Sequence, residues 1–264
     1  MLDRLETQLT GVPRTMLMTT RARMEEHQRP DAIFCDPQVM KWWQFLQWDA
    51  ELDRFYNPLA QLTWAARANL FDQIARRFVD SHEGAIAIEL GAGLSTRYHR
   101  IGQSYRYWLE LDVPEITSLR CQLDTQTETH RFLARSALDF SWMDEIPAGE
   151  PKNLLIIAEG LLMYFEATQV QELIARLKQR FPGATLVFDA VGSSPKSKGA
   201  KQLAQLGAPL KWFIKDEQTI AEMGLFVVNV QSLIQENCRY RDLIGIYRWL
   251  PWIRHLQKSE KWAG

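Results

Sequence analysis

The sequence of 264 residues contains only three cysteines, Cys35, Cys121 and Cys238. An odd number at wide spacing excludes a disulfide framework and any zinc-type ligand spacing, and it points to a reducing, cytoplasmic compartment. Neither sign of charge is in excess: 31 Lys and Arg stand against 32 Asp and Glu. No counterion-release term therefore draws the chain onto nucleic acid. No apolar run approaches the roughly 18 residues of a membrane-spanning helix. The opening MLDRLETQLTG is amphipathic and charged, unlike a signal peptide. Internal repeats and low-complexity linkers are missing too. What is present is the composition of a soluble globular protein, 46% hydrophobic, long enough for one large domain or two small ones. Ten tryptophans crowd at Trp42, Trp43, Trp48 and Trp64 and again at Trp249 and Trp252, as core or as the wall of a pocket.

The first 80 residues read as helices and loops. Asp36-Pro37 has the form of a cap followed by Pro at a helix start. Leu59, Leu62, Ala65, Ala66, Leu70, Ile74 and Phe78 recur at helical spacing, which predicts one long helix over 58–79. Arg67 and Asp72 on that helix read as parts of a solvated face. Strand-like segments then alternate with helical ones: 85–88, 105–111, 131–137, 153–158, 185–189 and 225–230. The helices predicted between them include 167–181 and 216–223. Residues 192–201 have a loop composition, and the basic, aromatic tail 238–261 reads as a partly buried helix with snorkelling ends. Such alternation predicts an α/β fold with an open, mostly parallel sheet covered by helices on both faces.

The chain is organised around Ala85–Arg100, AIAIELGAGLSTRYHR. A buried-strand run is followed by a glycine turn and then a helix-compatible segment. Gly91 and Gly93 let the backbone turn sharply and let a ligand come close, and amides at a new helix start point outward. Dinucleotide sites want G-x-G-x-x-G, and Thr96 stands at the third glycine position. Glu89 before the turn repels a pyrophosphate and suits a cation. An ordinary tight turn is the alternative. Asp112 falls at the end of the second strand, about 20 residues past the glycines, where a carboxylate accepts from both ribose hydroxyls or caps the helix that follows. Asp139 with the Phe140 amide has the donor–acceptor pattern for an adenine edge, or forms an Asx turn. Glu159 ends the most apolar strand, NLLIIA, where an unpaired carboxylate is costly, and a ligand contact accounts for it. His99 and His130 read as structural.

The sequence resembles the leucine carboxyl methyltransferase family, and within it the tetracenomycin-type polyketide O-methyltransferases. The resemblance rests on six pieces in order: 9–15 with 21–23, 29–31 and 36–37; Arg67 with Asp72; Leu90–Arg97; Leu111–Glu115; Asp139 before Trp142; and Ala158–Phe165. It implies a Rossmann-like methyltransferase fold with a helical N-terminal cap over 1–80 and a catalytic domain over 81–264. It also implies S-adenosylmethionine as methyl donor, S-adenosylhomocysteine as product, and no metal. By the same resemblance Arg67 pairs with the donor carboxylate, a task suited to its fork. Gly91 and Gly93 carry the methionine part, Asp112 holds the ribose, Asp139 and Phe140 hold the adenine, Glu159 faces the ammonium, and Tyr164 faces the substrate. Ser95 stands where many relatives carry Asp. The closing residues 260–264 are too short and polar for a seventh strand.

No Ser-His-Asp arrangement or carboxylate pair stands out as a general base. The acceptor expected is thus a small molecule bearing a carboxylate or an acidic hydroxyl, such as a polyketide or another secondary metabolite. A carboxylate is ionised at neutral pH and needs no base. A nicotinamide-dependent oxidoreductase and a non-catalytic binding module on the same fold are the competing readings. Thr96 and Glu89 disfavour the first, and the full set of ligand-type residues disfavours the second.

Overall fold

The computed structural model describes residues 9–147, 149–192, 197–233 and 240. Five strands, β1 (Ile86–Leu90), β2 (Tyr107–Asp112), β3 (His130–Ala134), β4 (Leu154–Ala158) and β5 (Thr185–Phe188), form one parallel sheet in the order β3-β2-β1-β4-β5. From β1 the chain first steps outward to β2 and β3, then returns to place β4 on the other side. The crevice at the carboxyl ends of β1 and β4 is thus the topological switch point, where open α/β sheets bind ligands.

Alternation along the strands builds a core on each face. Ile86, Ile88 and Leu90 of β1 join Leu109, Leu111, Leu154 and Ile156 on one face. There they meet Val170, Leu173, Ile174 and Leu177 of α6 (Ala167–Arg180). Ala85 and Ala87 share the other face with Trp108, Leu155 and Ile157, packed against Phe71, Ala75 and Phe78 of α3 (Pro58–Ser81). Alanine at 85 and 87 lets those aromatics approach the sheet closely. α3 has the length its apolar period predicts.

The described residues fall into two compact units. One holds 9–16 with Phe71–Val227, including the sheet; the other holds Leu17–Leu70 with the described residues from Val228 on. α1 (Gly11–His27) and α3 contribute to both. In the helical unit, Asp36 caps α2 (Pro37–Trp43) by accepting from the Val39 amide at 3.0 Å. Buried Glu26 accepts from Ile33 N at 2.8 Å and Gln61 Nε2 at 3.0 Å. Trp43, Trp48, Tyr56 and Trp64 form a file of touching rings, with the Arg21 guanidinium 4.4 Å from Trp48 and 4.3 Å from Tyr56. Among the described residues the tryptophans therefore divide between core, as at Trp42 and Trp142, and this half-buried file.

Three expectations are corrected. β1 runs past Ile88 through Glu89 and Leu90, so Glu89 is a strand residue with a buried side chain. Asp72 is not on a solvated face but 2% exposed, because two arginines draw it inward. Segment 225–230 is not a strand. Leu225 and Val227 pack on the core while Phe226 and Val228 are exposed, so the segment alternates without a ladder among the described residues. The expected tail helix at 238–261 and the closing residues 260–264 lie, Tyr240 apart, outside the described residues.

Candidate active site

The glycine turn follows Leu90 directly. Gly91 and Gly93 take φ of +62° and +55°, a region where a Cβ is strained. At Gly91 a Cβ would also lie 2.7 Å from Leu161 Cδ1, so a side chain there would have to displace Leu161 as well. Asp112, the last residue of β2, fixes the turn. Its Oδ2 accepts from Gly93 N at 2.6 Å and its Oδ1 from Val113 N at 2.7 Å. Burial nevertheless raises its pKa to about 6, against the pull of these two amides, with Glu115 and Glu110 adding to the rise. Each oxygen retains acceptor capacity beyond the one amide it holds. A small hollow opens beside Ala92, Gly93 and Asp112 and runs down to Ile116, Thr117 and Phe132; Glu89, Asp139 and Glu159 do not line it.

Across the switch point lies a buried ion network. Arg97 opens α4 (Arg97–Ile101) and is 2% exposed. Each of its three guanidinium nitrogens serves a different carboxylate. Nε donates to Asp72 Oδ1 at 2.9 Å, Nη1 to Glu89 Oε1 at 2.8 Å, and Nη2 to Glu159 Oε2. Arg100, one turn on, binds Asp72 through Nε at 2.5 Å and Nη2 at 2.9 Å. The face of Phe71 lies 5.6 Å from the Arg97 guanidinium. Burial pushes the Glu89 pKa up and Glu110 adds to the rise, while Arg97 opposes it. Arg97 is itself held well above its ordinary range: burial works against its charge, but Glu89, Glu159 and Asp72 outweigh it. Ser95 makes the turn bond with its hydroxyl, which accepts from Arg97 N at 3.3 Å.

At the end of β4, the Glu159 side chain is 16% exposed, against 3% for Glu89. Asp189, just past β5, accepts from Gly160 N at 2.6 Å, much as Asp112 holds Gly93. Tyr164 closes the 3-10 turn Leu162–Tyr164 that follows and is half-buried. The Asp139 side chain bonds none of the other candidate residues. It is exposed and caps the turn Phe140–Glu145 by accepting from Ser141 N at 3.2 Å and Ser141 Oγ at 2.6 Å; these bonds lower its pKa. Half-buried Phe140 has the Arg176 guanidinium 5.4 Å from its ring. Arg67 is half-buried on α3, within the helical unit.

The structure therefore joins Gly93 to Asp112, and Glu89 to Glu159 through Arg97. Both histidines near the motifs are engaged structurally: His99 Nε2 meets Asp124 at 2.7 Å and buried His130 meets Glu110 at 2.8 Å. Arg120 of α5 (Pro114–Leu123) binds Glu110 at 2.7 Å and donates to the Ser95 carbonyl. Arg97, Arg120 and Asp189 have no expected role in the sequence reading. Only Arg97 carried a signal, its place at the end of the glycine-turn motif.

No group of His, Cys, Asp and Glu suited to a metal occurs among the described residues, and none of their helices is long and apolar enough to cross a membrane. Over 97% of its length the chain is 27% identical to "Tetracenomycin polyketide synthesis O-methyltransferase TcmP" of Streptomyces glaucescens, covering 90% of that protein. Over 94% it is 25% identical to the S-adenosyl-L-methionine-dependent methyltransferase dpfgK of Gibberella zeae, covering 90% of that protein. Among solved structures, the N-methyltransferase NodS from Bradyrhizobium japonicum aligns with 81% of this chain and 92% of its own, at 18% identity and a TM-score of 0.43. The family model for leucine carboxyl methyltransferases matches residues 16–178, more than half of the sequence and inclusive of the glycine turn, Arg97, Asp112 and Glu159: the chain belongs to the leucine carboxyl methyltransferase family.

Proposed function

We propose that this protein is an S-adenosylmethionine-dependent O-methyltransferase acting on a carboxylate or acidic hydroxyl of a small molecule, polyketide-like or another secondary metabolite. Family membership supports methyl transfer, and the names of the two relatives support the donor and the oxygen acceptor. The observation that carries the reading is the charge pattern at the strand ends. Asp112 ends β2, Glu89 is the last residue but one of β1 and Glu159 follows β4, beside a glycine turn with no Cβ to block approach. An acidic rim of this kind suits a sulfonium nucleoside with an ammonium group and repels a pyrophosphate.

The residues present fit that donor. Asp112 retains acceptor capacity for the ribose hydroxyls, Gly91 and Gly93 pass beneath the methionine part, and the exposed edge of Glu159 receives the ammonium. Asp139 and the Phe140 amide read the adenine edge, Arg67 pairs with the carboxylate, and Tyr164 faces the acceptor. When bound, the donor supplies a methyl group already activated by a sulfonium, which departs as the neutral thioether S-adenosylhomocysteine. The protein's work is alignment of the acceptor oxygen with carbon and sulfur, worth roughly 7–11 kcal/mol when the geometry is good. A carboxylate acceptor loses no proton; a hydroxyl acceptor passes one to a base. Exposed free Cys35 and Cys121 favour a cytoplasmic setting.

The test is calorimetric titration with S-adenosylhomocysteine and NADH, followed by a methyl-transfer screen over small carboxylic acids and phenols. Binding of the first alone, abolished in Asp112→Ala, is expected. Binding of NADH alone would overturn the reading.

A further inference from the structure

The glycine turn is tied down from the side of β2 and α5. Asp112 accepts from Gly93 N, and Ala92 N donates to the Leu111 carbonyl at 3.1 Å. The second half of the turn gathers on Ser95. Its amide donates to the Ala92 carbonyl at 2.9 Å, its hydroxyl accepts from Arg97 N, and its carbonyl accepts from Arg120 Nη1. Arg120 reaches it from α5, 25 residues along the chain, with its side chain 2% exposed. A guanidinium so deeply buried requires counter-charges. Glu110 of β2 lies at 2.7 Å and Asp124, just past α5, at 3.3 Å, with the Phe132 ring 4.9 Å away. Both carboxylates are themselves fixed, Glu110 by His130 at 2.8 Å and Asp124 by His99 at 2.7 Å and by Thr125 N at 2.9 Å. Glu110 and Arg120 also line the hollow beside Gly93 and Asp112, so this socket adjoins the turn. Its carboxylates already neutralise the arginine. What the bond to Ser95 adds is a tie between the turn and a fixed charged centre. Because the peptide unit is planar, holding the Ser95 carbonyl also sets the plane of the peptide that leads into α4.

We propose that Arg120 is a positioning residue for donor binding: from its socket of Glu110 and Asp124 it holds the Ser95 carbonyl, and so fixes the second half of the glycine turn on which the methionine part of the donor lies. The proposal rests on the donor reading above. Arg120 acts through Ser95, on the amino-acid end of the donor, whereas Asp112 acts on the ribose. Loss of the arginine therefore falls unequally on the two ends of the ligand.

The experiment compares two probes by calorimetry: S-adenosylhomocysteine, and 5′-methylthioadenosine, which lacks the amino-acid part. Arg120→Met is made in the Glu110→Gln background, so that no carboxylate of β2 is left without its arginine, and is compared with Glu110→Gln alone. Loss of the guanidinium is expected to weaken S-adenosylhomocysteine by about tenfold and methylthioadenosine by less than about threefold, the first being the scale of one charge-assisted hydrogen bond. Arg120→Lys in otherwise wild-type protein keeps the charge but loses the fork that spans Ser95 and two carboxylates. It is expected to shift the ratio of the two affinities in the same direction by a smaller factor. An arginine that served stability alone would lower the urea midpoint and leave that ratio where it was. An unchanged ratio in either variant that folds would overturn the proposal, and where the double variant does not fold the lysine variant decides by the same ratio. A wild-type protein that binds neither probe would instead overturn the donor reading itself.

Discussion

Glu89 and Glu110 stand directly opposite one another in the register of β1 and β2, both buried and on the same face of the sheet. Two adjacent buried carboxylates repel, and each has its own arginine: Arg97 at 2.8 Å from Glu89 and Arg120 at 2.7 Å from Glu110. The two arginines flank the glycine turn, one in the helix that follows it and one bonded to its Ser95 carbonyl. Removing one partner of a buried pair leaves an uncompensated charge, which typically costs about 3–5 kcal/mol. Arg120→Met is expected to lose stability on that scale in urea unfolding. Adding Glu110→Gln should recover part of it, because the carboxylate left with His130 as its remaining partner is then gone. A single-variant loss below about 1 kcal/mol, the range of exposed pairs, would show that the charge is not truly buried.

Asp112 sets a pH dependence. Its pKa rises from 3.8 to about 6 on folding, so the native state binds the proton more tightly than the unfolded chain. That contribution to stability is complete below about pH 4 and is lost as pH climbs through 6. The difference amounts to about 3 kcal/mol at 1.36 kcal/mol per pH unit. Asp112→Asn should remove this slope between pH 4 and 6 in denaturation curves. Affinity for S-adenosylhomocysteine should move the opposite way in the wild type, rising from pH 5 to 7 as the carboxylate ionises to accept the ribose hydroxyls, and should be weak and flat in the variant.

Gly91 and Gly93 separate under substitution. Both have positive φ, a strain of order 1–3 kcal/mol for other residues. At Gly93 the added Cβ meets Met16 Cβ at 3.6 Å, ordinary contact, while at Gly91 it meets Leu161 at 2.7 Å. Gly91→Ala should therefore unfold at lower urea than Gly93→Ala, and Leu161→Ala should narrow the gap when combined with Gly91→Ala.

Asp189 orients the peptide that follows Glu159. With its carboxylate held 2.6 Å from Gly160 N, it is expected to act on donor binding without touching the donor. Asp189→Ala should weaken S-adenosylhomocysteine binding severalfold, and Asp189→Asn, which keeps an acceptor oxygen, should restore most of it. Equal losses in the two would rule out the amide bond as the cause.

Much of this protein is decided locally. The apolar runs of β1 and β4, the helical period of α3, the Pro start of α5 and the glycine turn are written in spacing and backbone preference, and these belong to short stretches of chain. So are the positions of Asp112 and Glu159, since a residue at the end of a buried strand is found by where the apolar run stops. Segment 225–230 shows the limit: alternation alone cannot say whether a neighbouring strand exists to pair with it. The partners of Arg97 lie beyond that limit as well. Asp72, Glu89 and Glu159 are 25, 8 and 62 residues away, and only the crossing of α3, β1 and β4 at one end of the sheet brings them to a single guanidinium. Burial then changes what the residues mean, because desolvation sets their charge and pairing, and desolvation depends on every element packed around them.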